Sequence, residues 1–207
     1  MVAAMRKLEP SFYRREDVVG ISRELLGKVL CTRIGGVTCK AVILETEAYD
    51  GPDDRASHAW NNRRTRRTEP LFQDGGIAYV YLCYGIHHMF NVVSNVADRP
   101  HAILVRAGLP LEGIEHMLER RSKAEDDGKL MTGPGILGQA MGITTALTGK
   151  SLDGNTLWIE DHDISIPAEE ITVGPRVGID YAGEDAKLPY RFLVSPVLVK
   201  ALISGAD

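Results

Sequence analysis

The sequence predicts an α+β fold, built from a curved and mostly antiparallel sheet with flanking helices and a protruding β-hairpin. Stretches rich in β-branched residues recur along the chain, glycine turns join neighbouring stretches, and only a few short segments have helical spacing. No break in composition divides the 207 residues. We therefore expect a single domain over residues 1–207, long enough to bury a core without disulfides or metals.

The first predicted elements are a helix and a hairpin. Residues 16–27 predict a short helix, because Asp17 is a suitable N-cap and Gly27 a suitable helix stop. Residues 28–34 and 37–47 are β-branched and alternating and flank two glycines, which predicts a β-hairpin.

A long loop and a second hairpin follow. Residues 48–76 are rich in Gly, Pro, Asp and Arg, and loops of this length usually carry function or are mobile. Strands are predicted over residues 77–83 and 86–96, with Tyr84 at the turn between them, and over residues 102–106.

The rest of the chain mixes short helices and strands. The segment from Pro110 to Leu118 has helical spacing, residues 121–129 indicate an exposed polar connection, and residues 133–141 predict another helix. The remaining predicted strands are short and lie at 157–160, 171–179 and 191–199.

Bulk composition bounds the class of protein. Apolar residues make up 44% and charged residues 25%, which excludes disordered and fibrous chains. The three cysteines form no C-x-x-C pair, so we expect neither a disulfide framework nor a structural zinc site, and reduced thiols fit a cytoplasmic protein. No signal peptide or transmembrane span is expected. The net charge of −4 by itself argues against a nucleic-acid partner.

Two carboxylates end the long strand of the first hairpin. Alternation places Glu45, Glu47 and Tyr49 on one face, in line with the apolar row from Val37 to Ile43. A buried carboxylate must be paired, hydrogen-bonded or shifted in pKa, and such groups are candidate general bases. The alternative is that the strand twists into solvent after Ile43 and leaves both glutamates exposed.

The long loop adds a histidine and several acidic residues. His58 alone is compatible with a surface or turn position. A larger acidic set could form a site for a hard metal ion, although its spacing matches no metal motif. That set is Glu45, Glu47, Asp50, Asp53, Asp54 and His58.

The second hairpin carries aromatic residues and an amide. Tyr79 and Tyr81 share one strand face, where core packing is the usual role. Tyr84 stands at the tip, where burial gains little and where a wedge that enters a DNA minor groove would stand. Asn91 in the return strand indicates either a functional polar role or a buried amide that the backbone satisfies.

Four arginines fall within five positions of the long loop: Arg63, Arg64, Arg66 and Arg67. Like charges at this density repel one another unless an anion offsets them, and a phosphate backbone is one such anion. A solvated loop is the alternative. Because the acidic residues gather elsewhere, the chain can present one basic strip despite its negative net charge.

A set of short motifs occurs in a fixed order and covers nearly the whole chain. They are Glu45-Thr46-Glu47-Ala48-Tyr49, Gly51-Pro52, His58, Tyr79-Val80-Tyr81, Tyr84-Gly85, Asn91, Leu104-Val105-Arg106-Ala107, Pro110-Leu111-Glu112-Gly113, Gly133-Pro134, Gln139-Ala140, Arg176-Val177-Gly178-Ile179 and Leu188-Pro189-Tyr190-Arg191-Phe192. Together they resemble the alkyladenine (3-methyladenine) DNA glycosylase family of the mammalian type, which is also found in bacteria.

The resemblance implies a monofunctional DNA glycosylase of base excision repair that needs no metal or other cofactor. Glu47 would be the general base that activates a water to attack C1′ of the sugar, and His58 and the backbone carbonyl of Arg106 would hold that water. Tyr49 and His58 on one side and Tyr81 on the other would stack on the flipped base.

The same resemblance implies how the enzyme meets its partner, duplex DNA that contains damaged purines. Tyr84 would fill the gap left by the flipped base, and Asn91 would crowd the exocyclic amine of guanine and so disfavour that base. We expect the arginines at positions 63, 64, 66 and 67 to contact the DNA backbone. We expect a monomer without membrane association, bacterial and associated with the nucleoid.

Two departures from the family pattern occur. The family commonly has Thr-Pro-Arg-Asn where this chain has Thr65-Arg66-Arg67-Thr68, and His88 stands where an aromatic residue is common. The implied site residues are unchanged, so we expect activity. Two alternatives stay open, a metal-dependent nuclease that uses the acidic set and a non-catalytic module that binds damaged DNA. A lyase step needs an amine, and Lys40 falls on the strand face opposite Glu47, so we expect none.

Overall fold

The computed structural model describes residues 5–205, and within them the chain forms nine strands and five α-helices. The outer limits of the predicted domain, residues 1 and 207, lie outside this range. The strands are β1 (Arg6–Lys7), β2 (Val29–Ile34), β3 (Val37–Tyr49), β4 (Ala78–Cys83), β5 (His87–Ser94), β6 (His101–Glu112), β7 (Leu157–Asp161), β8 (Thr172–Gly174) and β9 (Arg191–Leu193). The helices are α1 (Pro10–Tyr13), α2 (Val18–Glu24), α3 (Ile114–Arg120), α4 (Pro134–Ala140) and α5 (Pro196–Ser204).

The strands form one antiparallel sheet in the order β1-β7-β2-β3-β6-β5-β4, with β9 on β3 and β8 on β9. The long strand β3 pairs with β2 up to Val42 and with β9 from Glu45 onwards. Its register with β6 skips Leu44. A bulge of this kind bends a strand and increases its twist, so the sheet curls at this point. The curved antiparallel sheet with flanking helices confirms the predicted fold class.

Local signals explain the start of the fold. The Asp17 carboxylate accepts a hydrogen bond from the backbone N–H of Gly20 (2.7 Å), so it caps α2 as predicted. Gly27 has φ +82°, and a Cβ there would lie 2.7 Å from the carbonyl oxygen of Ile164. The chain therefore requires glycine where it leaves the helix and enters β2.

The helix predicted from Pro110 to Leu118 is wrong at its start. Pro110 and the next two residues continue β6, where Pro110 lies opposite Ala41 beside a register shift. Proline is tolerated at such an irregularity because it has no N–H to pair. Helix α3 begins only after Gly113, whose φ is +74°. A side chain at this position would place its Cβ 2.4 Å from the carbonyl oxygen of Thr38, so only glycine fits.

Two predicted strands near the end of the chain are also corrected. The stretch 191–199 contains only the short strand β9, after which Ser195 caps α5 through a hydrogen bond from the N–H of Val197 (3.2 Å). Pro196 occupies the first turn of that helix, where its fixed φ is favourable. The stretch 171–179 pairs only through Gly174, because Pro175 and the residues after it leave the sheet for the candidate site.

Helices and the long loop cover different parts of the sheet. The main core packs helices α2, α3 and α4 against it, with Ile21, Met117 and Leu137 fully buried. A second cluster beneath the loop contains Leu71 and Phe72 against β4 and β5. The loop is therefore held against the sheet, and the candidate site lies between the two. Within the described residues no helix has both the length and the apolar character that crossing a membrane requires.

Candidate active site

Glu47 on β3 is a fully buried carboxylate. Its Oε1 accepts a hydrogen bond from the backbone N–H of Val177 (2.8 Å), and its Oε2 accepts from the hydroxyl of Tyr49 (3.0 Å) and from Nη1 of Arg106 (3.3 Å). Burial raises the pKa of Glu47, and the three donors oppose that shift. The alternative in which the strand turns into solvent after Ile43 is therefore wrong.

Glu45 lies on the same face but is held differently. Its Oε1 accepts from Nε of Arg106 (2.8 Å) and from Nε of Arg191 (2.6 Å). These are the lengths of strong charge-assisted hydrogen bonds, whereas the contact between Glu47 and Arg106 is longer. Of the two acids, Glu47 therefore forms the longer and weaker hydrogen bond to an arginine.

The backbone of Arg106 is irregular beside these acids. The ladder between β3 and β6 pairs Glu45 with Ala107 and Thr46 with Val105, so it skips Arg106. A residue added by a bulge is left unpaired in the ladder, and bulges are frequent next to active sites. This irregularity leaves the backbone of Arg106 outside the regular pairing next to Glu47.

A cavity of about 510 Å³ lies between the long loop, the second hairpin and the chain after β8. Glu47 does not line it, but the three donors to its carboxylate do, so Glu47 lies one layer beneath the cavity floor. The structure brings together seven other predicted site residues around the cavity: Tyr49, His58, Arg67, Tyr81, Tyr84, Asn91 and Arg106.

The aromatic wall of the cavity is closely packed. Nδ1 of His58 lies 2.9 Å from the hydroxyl of Tyr79, and its ring meets the Tyr81 ring edge to face with centroids 4.6 Å apart. Burial and the charges of Arg67 and Arg63 lower the pKa of His58 to about 4, so the imidazole is neutral at pH 7. Stacking a base between two rings needs contacts of about 3.5 Å on each side. The rings of His58 and Tyr81 must therefore part before a base can lie between them.

Asn91 is fixed by its backbone surroundings. Its Nδ2 donates to the carbonyl oxygens of Tyr79 (3.2 Å) and Met89 (3.1 Å), and only 4% of the residue is exposed. The hydrogen bonds keep the side chain from swinging aside. It therefore limits the shape of what the cavity admits.

Tyr84 stands at the tip of the hairpin formed by β4 and β5 and is 91% exposed. Its φ is +52°, a left-handed conformation that is unfavourable for a bulky residue, and Gly85 follows with φ +75°. Tyr84 therefore has a strained backbone conformation although its side chain is not buried. Such strain is concentrated at functional sites.

The arginines of the loop are not equivalent. Arg64 donates to both carboxylate oxygens of Glu69 (2.8 and 2.6 Å) and to Asp98 (2.6 Å), so it is already paired. Arg67 lies 5.3 Å from the Tyr81 ring at the mouth of the cavity. Within the described residues neither Arg63 nor Arg67 forms an ion pair.

Thr68 closes the arginine loop (residues 63–68), where the family pattern commonly has Asn. It is 4% exposed, and its hydroxyl accepts from the backbone N–H of Thr65 (2.8 Å) and donates to the carbonyl oxygen of Arg63 (2.9 Å). A threonine hydroxyl can close a turn as an asparagine amide does. The departure at this position therefore leaves the loop closed.

Sequence reasoning gave no role to the buried ion pair of Arg176 with Asp54. Both side chains are almost completely buried, and both Nη atoms of Arg176 donate to the Asp54 carboxylate. Asp54 entered the prediction only as a member of the acidic set, and Arg176 only as part of a motif. Their separation of 122 positions in the chain carries no local signal of pairing.

The acidic set does not converge on a metal position. Within the described residues, no group of three or more His, Cys, Asp or Glu side chains could hold a metal ion. Glu45 is paired with arginines, Asp50 lies 3.4 Å from His101, and Asp54 is paired with Arg176. These members of the set pair with basic side chains.

Comparisons with known proteins agree with one another. The methylpurine-DNA glycosylase (MPG) family matches residues 11–196. A Chlamydia felis relative is 45% identical over 189 residues, which is 91% of this chain and 96% of its own. A Natranaerobius thermophilus relative is 40% identical over 189 residues (91% and 95%), and a Bacillus cereus relative is 43% identical over 195 residues (88% and 93%). All three are named "Putative 3-methyladenine DNA glycosylase".

These findings define the class of enzyme as a DNA glycosylase, a hydrolase of N-glycosyl bonds. The chain belongs to the methylpurine-DNA glycosylase family. The family and the enzyme class expected from the sequence are confirmed.

Proposed function

We propose that this chain is a monofunctional DNA glycosylase that flips alkylated or deaminated purines out of duplex DNA. It hydrolyses the N-glycosidic bond with a water activated by Glu47. The observation that carries the proposal is the ionisable carboxylate one layer beneath an aromatic cavity. A carboxylate there can both take a proton from water and stabilise an oxocarbenium-like transition state.

The hydrogen bonds of Glu47 suggest where the water binds. Its contact with Nη1 of Arg106 is the longest of the three, and Arg106 stays anchored by Glu45 if that contact opens. A water from the cavity floor then accepts from Arg106, donates to Oε2 of Glu47 and attacks C1′. The backbone carbonyl of Arg106, a residue that lies outside the regular pairing of β3 with β6, is a second acceptor for the same water.

The leaving base determines how much acid catalysis is needed. A cationic alkylated purine leaves as a neutral base, so it takes no proton from the enzyme. The proton removed from water stays on Glu47, whose raised pKa favours holding it until product release. Neutral deaminated purines are poorer leaving groups, and we expect slower release of them.

Base recognition is proposed to depend on shape and stacking. The neutral ring of His58 and the rings of Tyr49 and Tyr81 offer electron-rich faces to an electron-poor alkylated purine. His58 parts from Tyr81 to admit it. Asn91, held by two carbonyls, excludes the exocyclic amine of guanine by occupying the space that amine needs.

DNA contact is proposed at the face that carries the hairpin tip and the arginine loop. Tyr84 enters the duplex and fills the gap left by the flipped nucleotide. Arg63, Arg66 and Arg67 contact phosphates, and Arg64 contributes less because it is already paired. We expect the protein to act as a monomer on DNA in the bacterial cytoplasm, at the nucleoid.

The test is release of free base from duplexes that carry 3-methyladenine, 7-methylguanine, hypoxanthine or ethenoadenine, with EDTA present. We expect free base and an abasic strand that breaks only after alkali. Strand cleavage that EDTA abolishes would instead establish the metal-dependent nuclease, and binding of damaged duplex without release would establish the non-catalytic module. A covalent adduct trapped by borohydride would contradict monofunctional hydrolysis.

A further inference from the structure

Arg176 is buried where three segments of the candidate site meet. Only 5% of the residue is exposed, and it is not among the residues that line the cavity. Its guanidinium contacts one carboxylate, two backbone carbonyl oxygens and two aromatic rings. These are Asp54 (through both Nη atoms), Ala48 (2.9 Å), Asp185 (3.1 Å), the Tyr49 ring (4.8 Å from Cζ to centroid) and the Tyr190 ring (5.4 Å).

Each contacted segment carries part of the proposed chemistry. Ala48 lies between Glu47 and Tyr49 on β3. The Asp54 carboxylate also accepts from two backbone N–H groups of its own loop (3.1 and 2.9 Å), the loop that leads to His58. A single buried cation therefore joins the end of β3 to the start of the long loop.

The residue after Arg176 is a direct partner of the candidate base. The backbone N–H of Val177 donates to Oε1 of Glu47 at 2.8 Å. Because Arg176 is held from several directions at once, the peptide that follows it is held too. The arginine also lies beside the ring of Tyr49, whose hydroxyl donates to Oε2 of Glu47.

We propose that Arg176 is a positioning residue that keeps the Val177 N–H and the Tyr49 hydroxyl directed at Glu47. This inference rests on the glycosylase function proposed above. Arg176 touches neither the substrate nor the water and acts through the groups that hold Glu47.

The choice of arginine separates this role from simple charge neutralisation. Its planar fork donates to several acceptors while its faces stack on rings, and lysine supplies the charge without either geometry. Arg176→Lys therefore leaves the buried Asp54 carboxylate with a cation and removes the alignment. Losing the cation altogether would leave a buried charge unpaired and endanger folding.

The experiment compares Arg176→Lys with a matched control, Arg120→Lys. Arg120 is also part-buried and donates to a backbone carbonyl (3.0 Å to Ala140), but it lies on α3 away from the cavity. For both variants we measure single-turnover base release against pH, affinity for undamaged duplex, the thermal midpoint, and the pKa of the Glu47 carboxyl by carbon NMR, assigned with Glu47→Gln.

In Arg176→Lys we expect release to slow on the order of a hundredfold, as is typical of a small misplacement of catalytic groups. Loss of one backbone N–H donor should raise the pKa of Glu47 further and move the acid limb of the rate profile with it. Affinity for undamaged duplex should be unchanged. Arg120→Lys should change neither the rate nor the pKa.

An unchanged Glu47 pKa and rate in folded Arg176→Lys would overturn the inference, as would equal effects in both variants. If Arg176→Lys does not fold, the double variant Asp54→Asn, Arg176→Gln removes both buried charges. In that variant too, an unchanged Glu47 pKa and rate, or effects equal to those of Arg120→Lys, would overturn the inference. The NMR measurement is independent of activity. If no lesion is released even by the unaltered protein, a shifted Glu47 pKa still supports the positioning role while the glycosylase proposal fails.

Discussion

The candidate site has two parts that differ in how their charges are treated. The floor, taken from here on as the cavity base together with the buried layer beneath it, consists of Glu45, Glu47, Asp54, Arg106 and Arg176. The rim consists of Arg63, Arg66, Arg67 and Tyr84. Every floor charge is buried or half-buried and has an opposite partner within 4 Å. The rim residues are exposed, and within the described residues no ion pair involves them.

We propose that this difference separates chemistry from binding. Paired charges in the buried floor hold a fixed geometry at the cost of desolvation, and the strength of their interactions depends little on salt. Exposed and unpaired arginines cost little in the free protein, and in the proposed complex they would pair with DNA phosphates, so we expect their contribution to depend on salt. The predictions below should therefore separate into effects on rate and effects on affinity.

The largest expected effect is on the floor. Glu47→Gln removes the proposed general base and should slow release by about a hundredfold to ten-thousandfold, measured by single-turnover release of 3-methyladenine. Because burial raises the pKa of Glu47, the ionised carboxylate destabilises the folded state at pH 7.5. Its replacement by an uncharged glutamine should therefore not lower the thermal midpoint.

Glu45→Gln is the matched control on the same strand face. Glu45 anchors Arg106 and Arg191 and does not donate to or accept from Glu47. We expect a smaller loss of rate than with Glu47→Gln. Equal losses of rate in the two variants would contradict the assignment of Glu47 as the single general base.

The next effect is at the rim, where Tyr84→Ala removes the proposed wedge. Base–aromatic stacking contributes about 1 to 3 kcal/mol, which corresponds to a loss of roughly fivefold to 150-fold in binding of damaged duplex. The thermal midpoint should not fall, because Tyr84 is exposed and strained. Ile86→Ala, also exposed on the same hairpin, should lose less; an equal loss would assign the wedge to the tip as a whole.

Much of this arrangement follows from local signals in the sequence, and the rest does not. Alternation on β3 placed Glu45, Glu47 and Tyr49 together because strand geometry has a fixed period. The Arg176–Asp54 pair and the donation from Val177 to Glu47 join positions more than a hundred residues apart, and no local pattern encodes them. The end of β8 at Gly174 has a similar cause. The residues after it leave the sheet, and among them Val177 donates to Glu47.

The rim illustrates a different limit. The count of four arginines predicts a basic strip, but counting charges treats Arg64 like the others. Its partners are Glu69, just after the arginine loop, and Asp98, which lies between β5 and β6. Pairing of this kind depends on how the loop folds, so composition alone overestimated the free positive charge.

A pH effect on stability should follow from His58, which links the loop to the second hairpin. Its pKa is lowered by burial and by the neighbouring arginines to about 4, below its ordinary value of 6.5. The unfolded chain therefore binds a proton that the folded chain does not as pH falls from 6.5 to 4, so stability present above pH 6.5 is lost. Between pH 7 and pH 5 the loss should be roughly 1 to 2 kcal/mol.

Urea unfolding at the two pH values measures this loss. In His58→Gln the part due to His58 should disappear, while other groups such as His101 keep their own contributions. His116→Gln, a change at an exposed histidine on α3, is the matched control for replacing a histidine by glutamine. If His58→Gln behaves like His116→Gln, the imidazole is not held neutral by burial.

The smallest effect separates the arginines of one loop. Arg67→Ala should weaken DNA binding severalfold and reduce the slope of log affinity against log salt by about one, because one phosphate contact is lost. Arg64→Ala should leave that slope nearly unchanged, because Glu69 and Asp98 already neutralise its charge. Binding titrations of undamaged duplex at several salt concentrations distinguish the two. Equal slopes for the two variants would show that Arg64 exchanges its carboxylate partners for phosphate on binding, and the contrast between paired and unpaired charge would then not extend to this loop.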